Sequence, residues 1–194
     1  AAIIEAGELP AELTFIEERT VGPGLGADSI RAGTTASIIG LVLVAVFMIL
    51  AYGRLGAFAV VSLAANIIMI LGALSALGAV LTLPGIAGII LTIGMAVDAN
   101  VLVFERVREE KRNGRSPVTA VATGYQQAMS TILDANITTF IAAAVLYLLG
   151  SGPVKGFAVT LAIGIFTSVF TAFVLTRLMM ATWLRTARPK TLPI

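Results

Sequence analysis

The sequence predicts an all-α membrane protein, a bundle of five transmembrane helices preceded by a short periplasmic stump with a strand and a turn. Three observations lead there. Hydrophobic residues make up 58% of the chain and charged ones 12%, about half the charged fraction of a soluble domain, and mean hydropathy is +0.98. The apolar residues lie in long runs, each sufficient to cross a bilayer at about 1.5 Å per residue. Most of the 13 Lys and Arg residues gather in the short stretches between those runs, where the bias of basic loops to one side of a membrane explains them and no nucleic acid is needed as partner. The chain has no Cys and no His, which excludes disulfides, iron–sulfur clusters, thiol chemistry and the usual imidazole base or metal ligand. Proton transfer must therefore fall to carboxylates. No metal, no cofactor and no enzymatic activity are expected, because the sequence carries neither a metal-ligand cluster nor a serine–base constellation.

Residues 1–28 are the polar part, expected to be the periplasmic end of a larger domain. Ala1–Ala6 reads as a helix end capped by Gly7, Leu13–Val21 as a strand, and Gly22-Pro23-Gly24 as a turn. No start methionine precedes Ala1, so the chain is expected to be a piece of something longer. Asp28 is placed as the N-cap of the first span, 29–52. Gly53-Arg54 turns the chain into the second span, 55–81, with Asn66 at its middle. Thr82 and Pro84 open the third, 84–112, and Asn113-Gly114 ends it. Ser116 is expected to cap an amphipathic helix, 117–129, whose Val118, Val121, Ala122, Tyr125 and Met129 recur at helical spacing, as suits a helix on the membrane surface. The fourth span is 130–149. Beyond the Gly150–Pro153 turn the fifth is 153–184, so that residues 29–184 form the membrane domain and 185–194 a tail.

Five spans put the two ends on opposite sides. Arg54, Arg106, Arg108, Lys111, Arg112, Arg115, Arg185, Arg188 and Lys190 fall on one side with Arg177 close by, against Arg19, Arg31 and Lys155 on the other. The first side is expected to be cytoplasmic, leaving the N-terminal end periplasmic in a multi-pass protein of the bacterial inner membrane. Tyr52, Tyr147 and Trp183 are expected to anchor the interfaces, and Arg177 to reach the headgroups.

The third span is the one around which the rest is expected to be organised. From Pro84 to Phe104 its single ionisable residue is Asp98, roughly 20 Å from the outer end of the helix and 10 Å from the inner. A carboxylate at mid-membrane depth costs about 2.5–3.5 kcal/mol on insertion scales and marks ion or proton traffic by default. A carboxyl in dry surroundings holds its proton, and one reached by water releases it. Asp98 therefore reads as a proton site. Asp134, Asn100, Asn136, Thr138 and Asn66 form a second tier, either along the proton path or in interhelical polar contacts, with capping of the fourth span as the alternative for Asp134. Thr139 falls in the same polar turn. Gly85, Gly88 and Gly94 are expected to let neighbouring helices approach closely. The charges from Glu105 to Arg112 read mostly as a solvated helix face.

VGPGLGADSI (Val21–Ile30), TLPGIAGIILTIGMAVDANVLVFERVREE (Thr82–Glu110), GYQQAMSTILDANITT (Gly124–Thr139) and GSGPVKGFAVTLAIGIFTSVFTA (Gly150–Ala172) resemble the SecD branch of the SecD/SecF family, in the resistance-nodulation-division superfamily of proton-driven transporters. The resemblance implies a complex of SecD and SecF with six spans each, beneath large periplasmic domains. It also implies the SecYEG channel and the SecA motor as partners, YajC as a further one, and an exported polypeptide moved with the help of the proton-motive force. Asp98 falls on the family's proton-relay aspartate. On that resemblance the first span and nearly all of the periplasmic domain that would hold the polypeptide are expected before Ala1. Two other readings stand beside this one: a superfamily exporter of a lipid or drug, and a purely structural membrane subunit.

Overall fold

The structure, a computed structural model, describes residues 23–79 and 81–189, with side chains from residue 28 onward. The expected strand, the Ala1–Ala6 helix end and Lys190 lie outside the described residues, within which every regular element is helical.

Helix α1, Pro23–Ala76, runs 54 residues and leaves helical geometry at Gly53, φ 55 and ψ −123. Glycine alone reaches that region without steric cost. The chain doubles back there. A Cβ on Gly56 would collide with the Met48 carbonyl, about 12 Å away were the helix straight, and Ile38 and Leu41 line one groove with Ile67 and Leu71. Because the reversal takes a single residue, the first two expected spans form one helical hairpin. The five expected helices are thus four helical elements long and apolar enough to cross a membrane, within 28–76, 83–112, 117–149 and 153–187. At the start of α1, Pro23 and Gly24 of the expected turn are helical, and Asp28 is no cap but lies inside the helix. At its end the helix stops at Ala76, short of the expected Leu81. Gly78, φ 60, closes a Schellman turn through Ala79 N–H to Leu74 O (3.0 Å) and Gly78 N–H to Ser75 O (3.1 Å).

Helix α2, Leu83–Arg112, begins where Thr82 accepts a hydrogen bond from the Gly85 N–H at 3.2 Å. It ends at Asn113 with Gly114 at φ 80, as the sequence led us to expect. Helix α3, Pro117–Leu149, is capped by Ser116, which receives the Thr119 N–H. It joins the expected surface helix 117–129 and the expected span 130–149 into one rod of 33 residues. Neither glycine nor proline interrupts 125–149, and the one internal glycine, Gly124, is held against Val107 of α2. The buried stripe of α3 is Ala120, Val121, Gly124, Tyr125, Ala128 and Ile132, rotated from the one expected, since Val118 and Met129 are exposed.

The last expected span is three pieces: α4, Pro153–Phe170, a π-helical segment, Thr171–Thr176, and α5, Arg177–Ala187. Arg185–Ala187, expected in the tail, are helical. This composite helix is the most enclosed of the four, more than half of its most apolar stretch being buried against a third for α2. The bundle is therefore organised around α4 as much as around α2. The α2–α4 contact rests on small residues. A Cβ on Gly164 would overlap the Thr92 side chain, Gly88 meets Thr160 and Phe157, and Gly156 meets Thr82. A larger apolar cluster, including Leu55, Phe104, Val107, Tyr125 and Met180, fills the end rich in basic residues, and Ala143, Leu161 and Ile165 form a smaller one.

Candidate intramembrane carboxylate site

Asp98 stands on the side of α2 turned away from α4. Thr92, Ala96, Ala99 and Asn100 are buried, whereas Leu91, Gly94 and Asp98, spaced at i, i+3 and i+7, are exposed in this chain. Between α2 and α3 the Asp98 carboxylate lines a cavity of about 220 Å³ with Met95, Leu102, Thr131, Asn136 and Thr139. Its wall is mixed: one carboxyl, one amide and two hydroxyls among aliphatic groups. Asn136 donates from Nδ2 to the Ile132 carbonyl at 2.7 Å, and its Oδ1 is buried without a partner among the described residues. Among the described residues no lysine or arginine lines the cavity.

The second-tier residues divide. Asn136 joins Asp98 at the cavity, with Thr139 beside it. Asn100, two residues beyond Asp98, is buried, donating to the Ala96 carbonyl at 3.0 Å, its Oδ1 without a partner among the described residues. Asn66 is fully buried, and neither polar atom of its amide has a hydrogen-bond partner among the described residues. Asp134 is exposed and lies midway along α3 rather than in a first turn. Its expected capping role therefore falls away, because the helix begins at Pro117. Thr138 and Thr139 bond the carbonyls of Asp134 and Ala135 on their own helix, both at 2.9 Å. The Thr138 and Thr139 hydroxyls and the Asn136 Nδ2 thus bond within α3. Of the three glycines, Gly85 and Gly88 approach Thr160 of α4, but a Cβ on Gly94 would meet nothing within 4 Å.

Several groups were not singled out from the sequence. Gly124, Gly156 and Gly164 make closer helix contacts than Gly85 or Gly88. The signal was their small size, but only the partner face identifies which glycines are used. The π-helical segment was missed too: Thr176 bonds the Thr171 carbonyl five residues back at 3.1 Å, and Ser62 of α1 donates to the same carbonyl at 3.2 Å. Such segments recur at functional sites. In the charged run, Glu110 is buried rather than solvated, paired with Arg115 at 2.7 Å and receiving Gln127 Nε2 at 3.0 Å. Tyr52, expected at the interface, is buried, donating to Glu105 at 2.9 Å beneath the Arg108 guanidinium. Trp183 is half-buried against Phe58, while Tyr147 is exposed.

Residues 5–186 match the family described as protein export membrane protein SecD/SecF, C-terminal. The chain belongs to that family. It is 55% identical over its whole length to the protein translocase subunit SecD of Rhodobacter capsulatus and 51% identical to that of Acetobacter pasteurianus, covering 35% and 37% of those proteins. It therefore spans little more than a third of the SecD relatives. Among solved structures it is similar to SecDF, a translocon-associated membrane protein, from Thermus thermophilus, with 45% identity and a TM-score of 0.86 over 91% of this chain and 24% of that one. A SecDF in its super-membrane-facing form gives 44% identity and a TM-score of 0.83, with 99% of this chain and 26% of that chain covered. The SecD/SecF assignment and the apolar helices make this a multi-pass membrane protein.

Proposed function

We propose that this chain is the membrane-embedded part of a Sec protein-translocation subunit in the inner membrane, in which Asp98 relays protons and lets the proton-motive force assist export. The observation that carries the reading is the placement of Asp98. It is the only ionisable residue from Pro84 to Phe104, and it borders a cavity whose other polar groups, from Thr131, Asn136 and Thr139, suit water or a proton donor. A carboxyl there changes charge as its surroundings alternate between dry and wet. Each proton that moves down 100 mV releases about 2.3 kcal/mol, enough for a few to bias a domain movement.

Exposed groups on α2 and α3 argue for a partner. Gly94, Asp98, Asp134 and Thr138 are all exposed in this chain. Two carboxylates left facing lipid would cost about 2.5–3.5 kcal/mol each. A second membrane chain covering this side removes that cost, and SecF is the partner we assign to it. On this reading Gly94 packs against SecF rather than within this chain. SecYEG, SecA and YajC contact the larger complex, and the exported polypeptide is held by the periplasmic domain. The basic end of the bundle faces the cytoplasm, as the charge bias requires, with the N-terminal end periplasmic.

The test is Asp98→Asn in the full-length complex reconstituted in vesicles, measuring the extra export gained on imposing a proton gradient. The amide keeps volume and most hydrogen bonding but exchanges no proton near neutral pH. Assembly with SecF and ATP-driven export should survive while the gradient-dependent gain is lost, with Asp98→Glu restoring part of it at most. Retention of the gain in Asp98→Asn would replace the relay with a structural role.

A further inference from the structure

At the basic end of the bundle α5 meets α3 at Tyr125, whose hydroxyl donates to Met180 Sδ at 3.4 Å. The two helices enclose a groove of about 710 Å³. Along α5, Arg177, Ala181 and Arg185 recur at i, i+4 and i+8, which places them on one face, and Arg188 follows as the C-cap at φ 39. All four line the groove, and Val118 and Val121 of α3 supply its apolar floor. Arg106, Arg108 and Arg115 at this end pair with Glu109, Glu105 and Glu110. Arg185 and Arg188 are exposed, and among the described residues no carboxylate lines their groove. Arg177 stacks over the Tyr125 ring, its Cζ 5.8 Å from the centroid. The small Ala181 side chain leaves a hollow between Arg177 and Arg185.

We propose that this groove binds an anionic phospholipid, its phosphate between the Arg185 and Arg188 guanidiniums and the upper part of an acyl chain on Val118, Val121 and Ala181. Guanidinium forks suit phosphate oxygens, and uncompensated positive charge beside an apolar floor, on helices that continue into the bilayer, is complementary to a lipid on both counts. A free anion would use the charge and leave the floor unmatched. Arg177 sits two turns deeper and extends its guanidinium towards the headgroup, as long basic side chains do near helix ends. This site is separate from Asp98 and does not depend on the relay.

The experiment uses the full-length protein, purified in detergent and titrated with phosphatidylglycerol or phosphatidylcholine while bound lipid is counted by native mass spectrometry. Phosphatidylglycerol should bind preferentially. Arg185→Gln with Arg188→Gln should weaken it by about 10- to 30-fold, from the attraction each basic residue contributes at an anionic surface, and Arg185→Lys with Arg188→Lys should keep most of it. Equal binding by the glutamine variant, with an unchanged melting temperature, overturns the site. Displacement of the lipid by millimolar inorganic phosphate overturns the lipid as occupant in favour of a free anion. Loss of bound lipid when SecF is present assigns the groove to a protein contact and overturns the proposal equally.

Discussion

Replacing Gly164 by alanine tests how the helix that carries Asp98 is set against its neighbour. A Cβ there would overlap Thr92 Cγ2, with Thr92 Cβ at 2.6 Å and Oγ1 at 2.7 Å, all well inside the 3.5–4.0 Å at which carbon atoms rest. Thr92 cannot swing aside cheaply. It is fully buried, and its hydroxyl donates to the Gly88 and Ile89 carbonyls, 2.9 Å each. The helices must separate by about an ångström or the threonine must leave its rotamer, and overpacking of this kind costs about 1–3 kcal/mol. Thr92→Ala would relieve little, because the 2.6 Å contact is to Cβ itself. Thr92→Gly removes all three clashing atoms at a cost of about 1–2 kcal/mol for helix propensity and lost packing. Gly164→Ala with Thr92→Gly exchanges large for small across the interface, so the double variant should be more stable than the sum of the two losses by about 1 kcal/mol or more. The assay is denaturant or thermal unfolding of the full-length protein in detergent, run as a double-mutant cycle. If Gly164→Ala melts like the parent, or the two losses add, the α2–α4 contact is not at this register and the placement of Asp98 derived from it fails.

Two further predictions concern buried polar groups. Arg115→Ala should destabilise the protein more than Glu110→Ala: the first strands a buried carboxylate, whereas the second leaves a guanidinium that is 46% exposed and returns to water. A larger loss from Glu110→Ala on chemical unfolding would reverse the argument. Asn66→Leu replaces an unpartnered, fully buried amide by an apolar side chain of similar size. Its melting temperature should be unchanged or raised, by the equivalent of about 1–2 kcal/mol; a drop would mean that the amide is bonded in the assembled complex.

The local signals in the sequence were read correctly where the physics is local. Thr82, Ser116, Gly114 and Pro153 mark helix ends as expected because a cap or a positive φ involves only a few neighbouring residues. Gly53 turns the chain as expected, since one residue at φ 55 suffices to fold α1 on itself. The same locality misled at one place. Ser130 was read as the start of a span, yet nothing near it breaks the hydrogen bonds of α3.

By itself the sequence determined that the chain is helical and membrane-embedded, where most helices begin, and that one carboxylate lies deep in an apolar run. These follow from composition and from the covalent preferences of single residues. Only the tertiary structure decided which side of each helix is covered. Gly164 and Gly94 are chemically identical, but one is pressed against Thr92 and the other is open; Glu109 and Glu110 are adjacent, but only the second is buried. Asp98 is exposed beside the α2–α3 cavity instead of enclosed within this chain. The physical reason is common to all three. Helical periodicity determines which residues share a face, whereas the rotation of that face towards a neighbour is set by packing between residues far apart in the chain.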